Sequence, residues 1–526
     1  MKVSRTTLAV ATILGVGTSS GAIALDLYVD TKTAQIYAEP GPDRQFMGAF
    51  EKSQAAPVKI SDKANKLGNS EIAAIREDLA LKTKEIKVLK ESSTGLVKTK
   101  LGEKGLEIET TDGDFKIAIG GRLQLDGQLN QNEHHNHIPQ SEKLNDGADL
   151  RRGRIHMDGT LYKDYDFKFE YDFVRGSGTN AAGITDAWVE YTGLKPITFT
   201  VGQFKEPFSL ESVTSNRFLT FIERSAPSNA FVEFANPYLM GISAQTFGDR
   251  YTVRGALQAE PIGNGNYSNN TSLNGNGNAN RNGQSGNPSY GVTGRATFLP
   301  IYNSKTELLH LGAAGSYRTV NNASNGVAAM SFASQVSNVD RSNWANTGGL
   351  TDPITVTTNR RVLENFARVG AEVSGVYGPA SFQGEYMRTQ LSGQNYNSKD
   401  HLDGYYAYVS YFLTGESRNY DTKKGAFGRQ KPNRNFDLRN GGSGAWELAT
   451  RFDSLDMNTE HVAGGFLQSG TVALNWYLNP HVRFMADYAH VFTNKTIDTG
   501  FTKVKPASAT SGQNPDIFMV RAQLDW

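Results

Sequence analysis

The chain has 526 residues, 38% of them apolar, with 54 Lys+Arg against 53 Asp+Glu, so it can build several soluble domains or one large barrel with long loops. Its near-neutral charge singles out no partner, and no nucleic-acid binding is expected. The absence of cysteine excludes disulfides and thiolate metal sites, while 54 glycines and 10% aromatics suit strands and turns better than helical cores.

In chain order, Lys2 and Arg5 form a basic start, Thr6 to Gly17 an apolar stretch, and Ala22-Ile23-Ala24 a small-x-small cleavage site. Residues 1–24 therefore read as an export signal. Residues 25–109 form an N-terminal periplasmic segment with a short strand-like piece, LYVDTKTAQIYAEPG. From Ser70 to Glu91, Ile72, Ile75, Leu79, Ile86 and Leu89 fall on the a and d positions of heptads, with Lys82 breaking the seam. A short coiled-coil helix over 70–91 is expected, pairing with copies of itself; a lone helix is the alternative.

From Phe115 onward the period becomes two. Tyr165, Phe167, Phe169, Tyr171 and Phe173 share one face of a segment whose other face carries Asp166, Lys168, Glu170 and Asp172. No later apolar run is long enough for a spanning helix, so only a closed barrel could cross a membrane, because lipid satisfies no backbone polar group. Such segments recur near 115–126, 150–161, 165–173, 184–192, 197–203, 238–247, 251–259, 290–298, 308–318, 366–377, 380–388, 402–413, 445–453, 471–478, 481–491 and 517–526. Their even number predicts an all-β, 16-stranded antiparallel transmembrane β-barrel over residues 110–526. Short turns alternate with long loops, which puts the turns in the periplasm and the loops outside. Thr414–Gly444 breaks this rule, being long and basic on the periplasmic side. It either folds into the lumen mouth or marks an error in the strand count.

Gly202–Pro237 (GQFKEPFSLESVTSNRFLTFIERSAPSNAFVEFANP) fits neither a lipid-facing strand nor a solvated tip, since it mixes charges with six phenylalanines over a length at which loops are functional or disordered. It is expected to fold into the barrel and narrow the lumen. Thr319–Glu364 is also long enough to dip inward.

Several stretches resemble the phosphate- and polyphosphate-selective porins of Gram-negative outer membranes: DLRRGR at 149–154, GQFKEPFSL at 202–210, TFIERS at 220–225, GYYAYVSYFLTGESR at 404–418, GAWELATR at 444–451, ALNWYLNPHVRF at 473–484 and RAQLDW at 521–526. They follow in order across residues 110–526. The resemblance implies a homotrimer in outer-membrane lipid, with a constriction lined by basic residues of inward-folded segments. Those segments would be the loops after the fifth and ninth strands and the connection after the twelfth. Carried over residue by residue, it implies anion binding in the constriction by Lys205, Arg217 and Arg224. One departure is that Thr319–Glu364 contains no lysine, which leaves anions other than orthophosphate open.

Alternation assigns Arg122, Arg152, Arg154, Arg254, Arg295 and Arg318 to the lumen wall, along with Arg368, Arg451, Arg483, Arg521 and Lys168. It also turns inward nearly as many acids, among them Asp126, Glu170, Asp172, Glu372, Glu385, Asp453 and Asp487. Selectivity would then rest on segregation, with an arginine ladder on one wall and acids elsewhere. Guanidinium forks suit phosphate oxygens, although Glu223 and Arg224 could instead pin the loop. The histidines at 134, 135 and 137 lie in a polar loop without a scaffold, so no metal site is expected; no catalytic constellation and no cofactor are expected either. The function so read is a passive outer-membrane channel for anions, phosphate, pyrophosphate or polyphosphate. The alternatives are a general diffusion porin and a structural or adhesive barrel.

Overall fold

A computed structural model describes residues 25–30, 36–37, 41, 44–50, 73–87, 97–102, 105–131, 144–174, 183–233, 237–261, 289–320, 330–337, 339–340, 343–353, 355–495 and 514–526. The proposed signal and the three clustered histidines lie outside them. The chain divides into two compact units, Met1–Ser92 and Ser93–Trp526. In the first, Leu25–Asp30 is the central strand of a three-stranded sheet, flanked by Ile36–Tyr37 and Arg44–Phe50. Residues 73–87 form a helix on which Ile75, Leu79 and Ile86 are exposed among the described residues.

The second unit is a closed antiparallel barrel of sixteen strands. They are β1 (Phe115–Gln131), β2 (Gly147–Leu161), β3 (Tyr165–Asp172), β4 (Gly183–Tyr191), β5 (Ile197–Lys205), β6 (Tyr238–Phe247), β7 (Tyr251–Gln258) and β8 (Gly291–Ser304). They continue as β9 (Glu307–Thr319), β10 (Val362–Tyr377), β11 (Ala380–Gln394), β12 (His401–Phe412), β13 (Ala445–Asn458), β14 (Ala463–Tyr477), β15 (Val482–Lys495) and β16 (Asp516–Asp525). All sixteen coincide with expected segments, and several run further. Because β11, β13 and β14 extend into stretches of weak alternation, the loops at 395–400 and 459–462 are short although they lie at the long-loop end.

The ends of the chain close the ring. β16 pairs with the second half of β1, from Asp516 opposite Gln131 to Asp525 opposite Arg122. The first half of β1 pairs instead with a hairpin, Val97–Gly102 and Gly105–Thr110. That hairpin thus belongs to the barrel unit, which begins ahead of residue 110.

The period of two translates into two surfaces. In β8 buried and exposed residues alternate from Gly291 to Pro300. Exposed side chains such as Phe199, Val253, Phe298, Leu311, Val369, Val409, Val472, Phe518 and Val520 form the apolar band that lipid solvates. The inward face holds a surprise. Along β11–β16, Met387, Leu391, Leu402, Leu455, Met457, Met485, Ala489, Val491, Ile517 and Met519 point inward and are buried. They pack with loop residues Phe208, Ile222, Phe231, Phe332 and Trp344 into a continuous core inside the barrel. On that side the lumen is filled by protein, and burying this apolar surface is what holds the loops inside.

The lumen constriction as the candidate functional site

The segment after β5 folds into the lumen as expected. Its entry is set by Gly202, whose φ of +130° suits glycine and whose absent Cβ would lie 2.2 Å from the Ala187 carbonyl oxygen. The chain then forms a single helical turn, α1 (Leu210–Val213), and a second short one, α2 (Ala226–Ser228), continued by a π turn over Asn229–Glu233. The backbone amides of Leu210 and Glu211 donate to the Glu385 carboxylate of β11 at 2.9 and 2.8 Å, and the Ser209 hydroxyl accepts from Ser212. A buried carboxylate at the amide end of a turn satisfies donors that a short helix leaves orphaned.

The carbonyl end of α1 explains two of the proposed anion ligands. Arg224 donates to the carbonyl oxygens of Glu211 and Thr214 at 3.1 and 2.9 Å, and Lys205 donates to that of Ser212 at 2.7 Å. Both cations also reach Glu233, Lys205 at 2.6 Å and Arg224 at 3.4 Å. Glu223 is gripped by Arg151 at 2.8 Å and by Arg521 at 3.0 Å. The geometry of Glu223 and Arg224 is that of pins holding the loop.

Between the two turns the loop runs along β13–β16, and the wall grips its backbone. Arg483 donates to Leu219 O at 2.7 Å, Asn475 to Thr220 O at 2.8 Å, Arg521 to Ile222 O at 2.6 Å and Arg451 to Glu223 O at 2.9 Å. Asp487 accepts from the Ile222 amide and Asp453 from that of Ala226. At the other end Glu206 accepts from Arg368 at 2.6 and 2.8 Å, and Arg368 also reaches the Phe231 carbonyl. A strand-like segment with no neighbouring strand must find partners for its amides and carbonyls, and inward side chains supply them.

The lumen-wall candidates fall into two groups. Arg154 binds Asp172 at 2.7 Å and Glu170 at 2.8 Å; Arg295 forks onto Glu372 at 2.8 and 2.7 Å. Arg122 is held by Glu170 and Asn216, and Arg318 lies 3.6 Å from Glu206. Arg152 and Arg254 differ. Among the described residues, the Arg152 guanidinium donates only to Gln124 at 2.9 Å, and that of Arg254 only to Ser243, at 3.3 and 3.0 Å, while it stacks on Phe204. Instead of one arginine wall facing acids elsewhere, most buried charges interleave in pairs, because a buried ion without a counter-ion is costly.

Arg217 is the exception within the loop. Its neighbours are fixed: Asn216 O accepts from Gln124, Arg217 O accepts from Gln523, and Phe218 N–H closes a turn onto Ser215 O. Its guanidinium makes no hydrogen bond among the described residues, its nearest carboxylate is Asp525 at 3.8 Å, and its Nε is buried without a partner.

Two further segments complete the narrowing. The short strands Ala333–Gln335 and Asn343–Asn346 pair and sit on the first loop. Phe332 packs edge-on against Phe231, and Ser334 donates to Ala226 O at 3.1 Å. The basic connection at 413–444 folds into the periplasmic mouth: Tyr420 bonds His310 at 2.7 Å, Arg295 donates to Gly425 O at 2.7 Å, and Thr252 to Thr422 O at 2.8 Å. Gly425 has φ +57°, and a Cβ there would stand 2.7 Å from the Thr297 hydroxyl. Arg418 in this strap lies 3.5 Å above the Phe427 ring and touches Gln383. The sixteen-strand count therefore stands beside this long connection.

The sequence assigned Glu385, Asp453 and Asp487 inward by parity, but their role as anchors of loop amides escaped it. Local periodicity gives a residue's face and never its partner.

A closed barrel of this size, an apolar outer band and a lumen narrowed by inward loops together define an outer-membrane channel of the porin type. Residues 117–526 match the family described as phosphate-selective porin O and P, and the chain belongs to that family. It is 27% identical to Porin O of Pseudomonas aeruginosa over 413 residues, 74% of this chain and 86% of that one. It is 30% identical to an uncharacterized protein of Caulobacter vibrioides over 383 residues, 72% of this chain and 69% of that one. Among solved structures, an anion-selective porin from Comamonas acidovorans aligns over 78% of this chain and all of its own, with a TM-score of 0.45 and 10% identity. Fold and family are those of a channel of the outer membrane rather than of an enzyme.

Proposed function

We propose that the protein passes phosphate-type oxyanions passively through the constriction built by residues 206–233, with Arg217 as the principal anion contact. The observation that carries this reading is the Arg217 guanidinium: it is held by a fixed backbone turn yet has no hydrogen-bond partner among the described residues. Arg152 and Arg254, whose guanidiniums donate among the described residues only to a neutral side chain, continue the path along the wall. Lys205 and Arg224 contribute positive potential but spend their donors on α1. Orthophosphate, pyrophosphate and polyphosphate share the chemistry that such contacts recognise.

A second reading, the general diffusion porin, draws support from the pairing of most lumen arginines with acids. The zero-current potential of the purified protein in a planar bilayer under a KCl gradient, followed by phosphate titration against the chloride current, separates the two. A potential near the chloride limit with saturable block supports the selective channel; a potential near zero without block leaves a general porin. Three copies are expected to assemble, with the Ile75, Leu79 and Ile86 seams packed together. Cross-linking before and after removal of residues 70–91 tests both.

A further inference from the structure

The lumen face of β2 continues from Arg152 and Arg154 to a residue that the channel reading leaves without a role. His156 is 2% exposed, and neither of its ring nitrogens has a hydrogen-bond partner among the described residues. Across the register from it stand Gly120 of β1, which has no side chain, and Glu170 of β3. The charged groups that face the imidazole are Asp158 on its own strand, Lys168 and Glu170 on β3, and Arg217 from the inward loop. Glu170 is also a charged neighbour of Arg217, together with Arg122, Arg429 and Asp525. A buried imidazole and a half-buried guanidinium, neither of them hydrogen-bonded among the described residues, thus act on each other electrostatically. Glu170 does not fill their needs, because its oxygens already accept from Arg122, Arg154 and Thr185.

We propose that His156 and Arg217 form an oxyanion subsite that selects tetrahedral anions carrying an ionisable proton. The inference rests on the anion-channel reading and adds to it a rule of selection. A guanidinium offers donors only, whereas a neutral imidazole offers one N–H and one lone pair. A fully deprotonated anion can use the donors but meets the lone pair with another acceptor. A hydrogenphosphate, or a phosphoryl monoester that keeps one proton, gives its own O–H to that lone pair and satisfies every group in the subsite. Leaving a buried acceptor unmatched is what makes discrimination of this kind large.

The test compares block of the chloride current by phosphate and by sulfate at about pH 8, where both are dianions and only phosphate carries a proton. Wild-type protein should show block by phosphate about tenfold tighter than by sulfate, as one charge-assisted hydrogen bond predicts. His156→Phe should bring the ratio close to one, and His156→Gln, whose amide keeps both a donor and an acceptor, should retain part of the preference. Equal block by the two anions in the wild type, or a preference unchanged in His156→Phe, overturns the proposal. An anion-preferring potential with equal block removes the subsite alone. A potential near zero with no block by either anion removes the channel reading and the subsite with it.

Discussion

The two sides of the barrel interior use the same inward positions for different ends. On β10–β16 many inward residues are apolar, and others are charged groups gripping loop backbone, as Arg451, Arg483 and Arg521 do at Glu223, Leu219 and Ile222. On β2–β7 they are polar groups bound chiefly to one another, such as Lys168 with Asp186 at 2.9 Å and Thr200 with Glu190 at 2.9 Å. Arg152, His156 and Arg254 stand on this second side with unused hydrogen-bonding capacity. An inward arginine is therefore not by itself part of an ion path. Its partners decide, and an arginine that holds a carbonyl and a carboxylate is scaffold.

The contrast is broken most severely at Arg521, which joins Asp126, Glu223 and the Ile222 carbonyl. Arg521→Ala leaves two buried carboxylates short of a cation and should destabilise the barrel by about 3–5 kcal/mol. The heat of unfolding in detergent gives the midpoint shift, and single-channel conductance should rise as the loop leaves the wall. A midpoint unchanged from wild type would contradict the scaffold role. Arg217→Ala, by comparison, removes a side chain that makes no hydrogen bond among the described residues. Its midpoint should move by less than about 0.5 kcal/mol equivalent, while phosphate block weakens roughly tenfold.

Arg224→Ala should fall between these. It uncaps α1 at a cost of about 1–3 kcal/mol and weakens phosphate block less than Arg217→Ala does. A larger loss of block at Arg224 than at Arg217 would reverse the assignment of scaffold and ligand.

The smallest effect concerns a latch away from both walls. Asp400, between β11 and β12, accepts from the Asn397 amide at 2.8 Å, from Thr459 at 2.7 Å and from the His461 amide at 3.0 Å. Burial alone raises its pKa, but these hydrogen bonds outweigh burial and hold it below the ordinary 3.8. A carboxylate with a depressed folded-state pKa adds stability that is complete above the unfolded value and is lost as pH falls through the folded one. Protection of the Asn397 and His461 amides, relative to their intrinsic exchange, should accordingly be full at neutral pH and fall only below 3.8. Asp400→Asn should lower that protection at neutral pH, where the wild type keeps its carboxylate, while leaving the phosphate-to-sulfate ratio as in wild type.

Much of this was legible in the residues. Alternation from Phe115 to Trp526 located the sixteen barrel strands, and the aromatic, charged run after Gly202 announced an inward loop. Parity also turned Arg152, Arg154 and Arg254 to the lumen, where they stand. Parity could not tell Arg152 from Arg154, because the carboxylates that occupy Arg154 come from β3 and the glutamine that touches Arg152 comes from β1. The apolar inner face of β11–β16 was likewise hidden: strands with apolar residues on both faces lose their alternation, and the strand ends were accordingly placed too early.

By itself the sequence determined the barrel, its strand number, its membrane-facing surface and the segment that narrows it, since each follows from a local period or from composition along one strand. Only the tertiary structure decided which cations are spent on carbonyls and carboxylates and which keep donors for an anion. Pairing is set by contacts between residues far apart in the chain, Arg483 with Leu219 and Arg521 with Ile222 among them, and no local pattern records them.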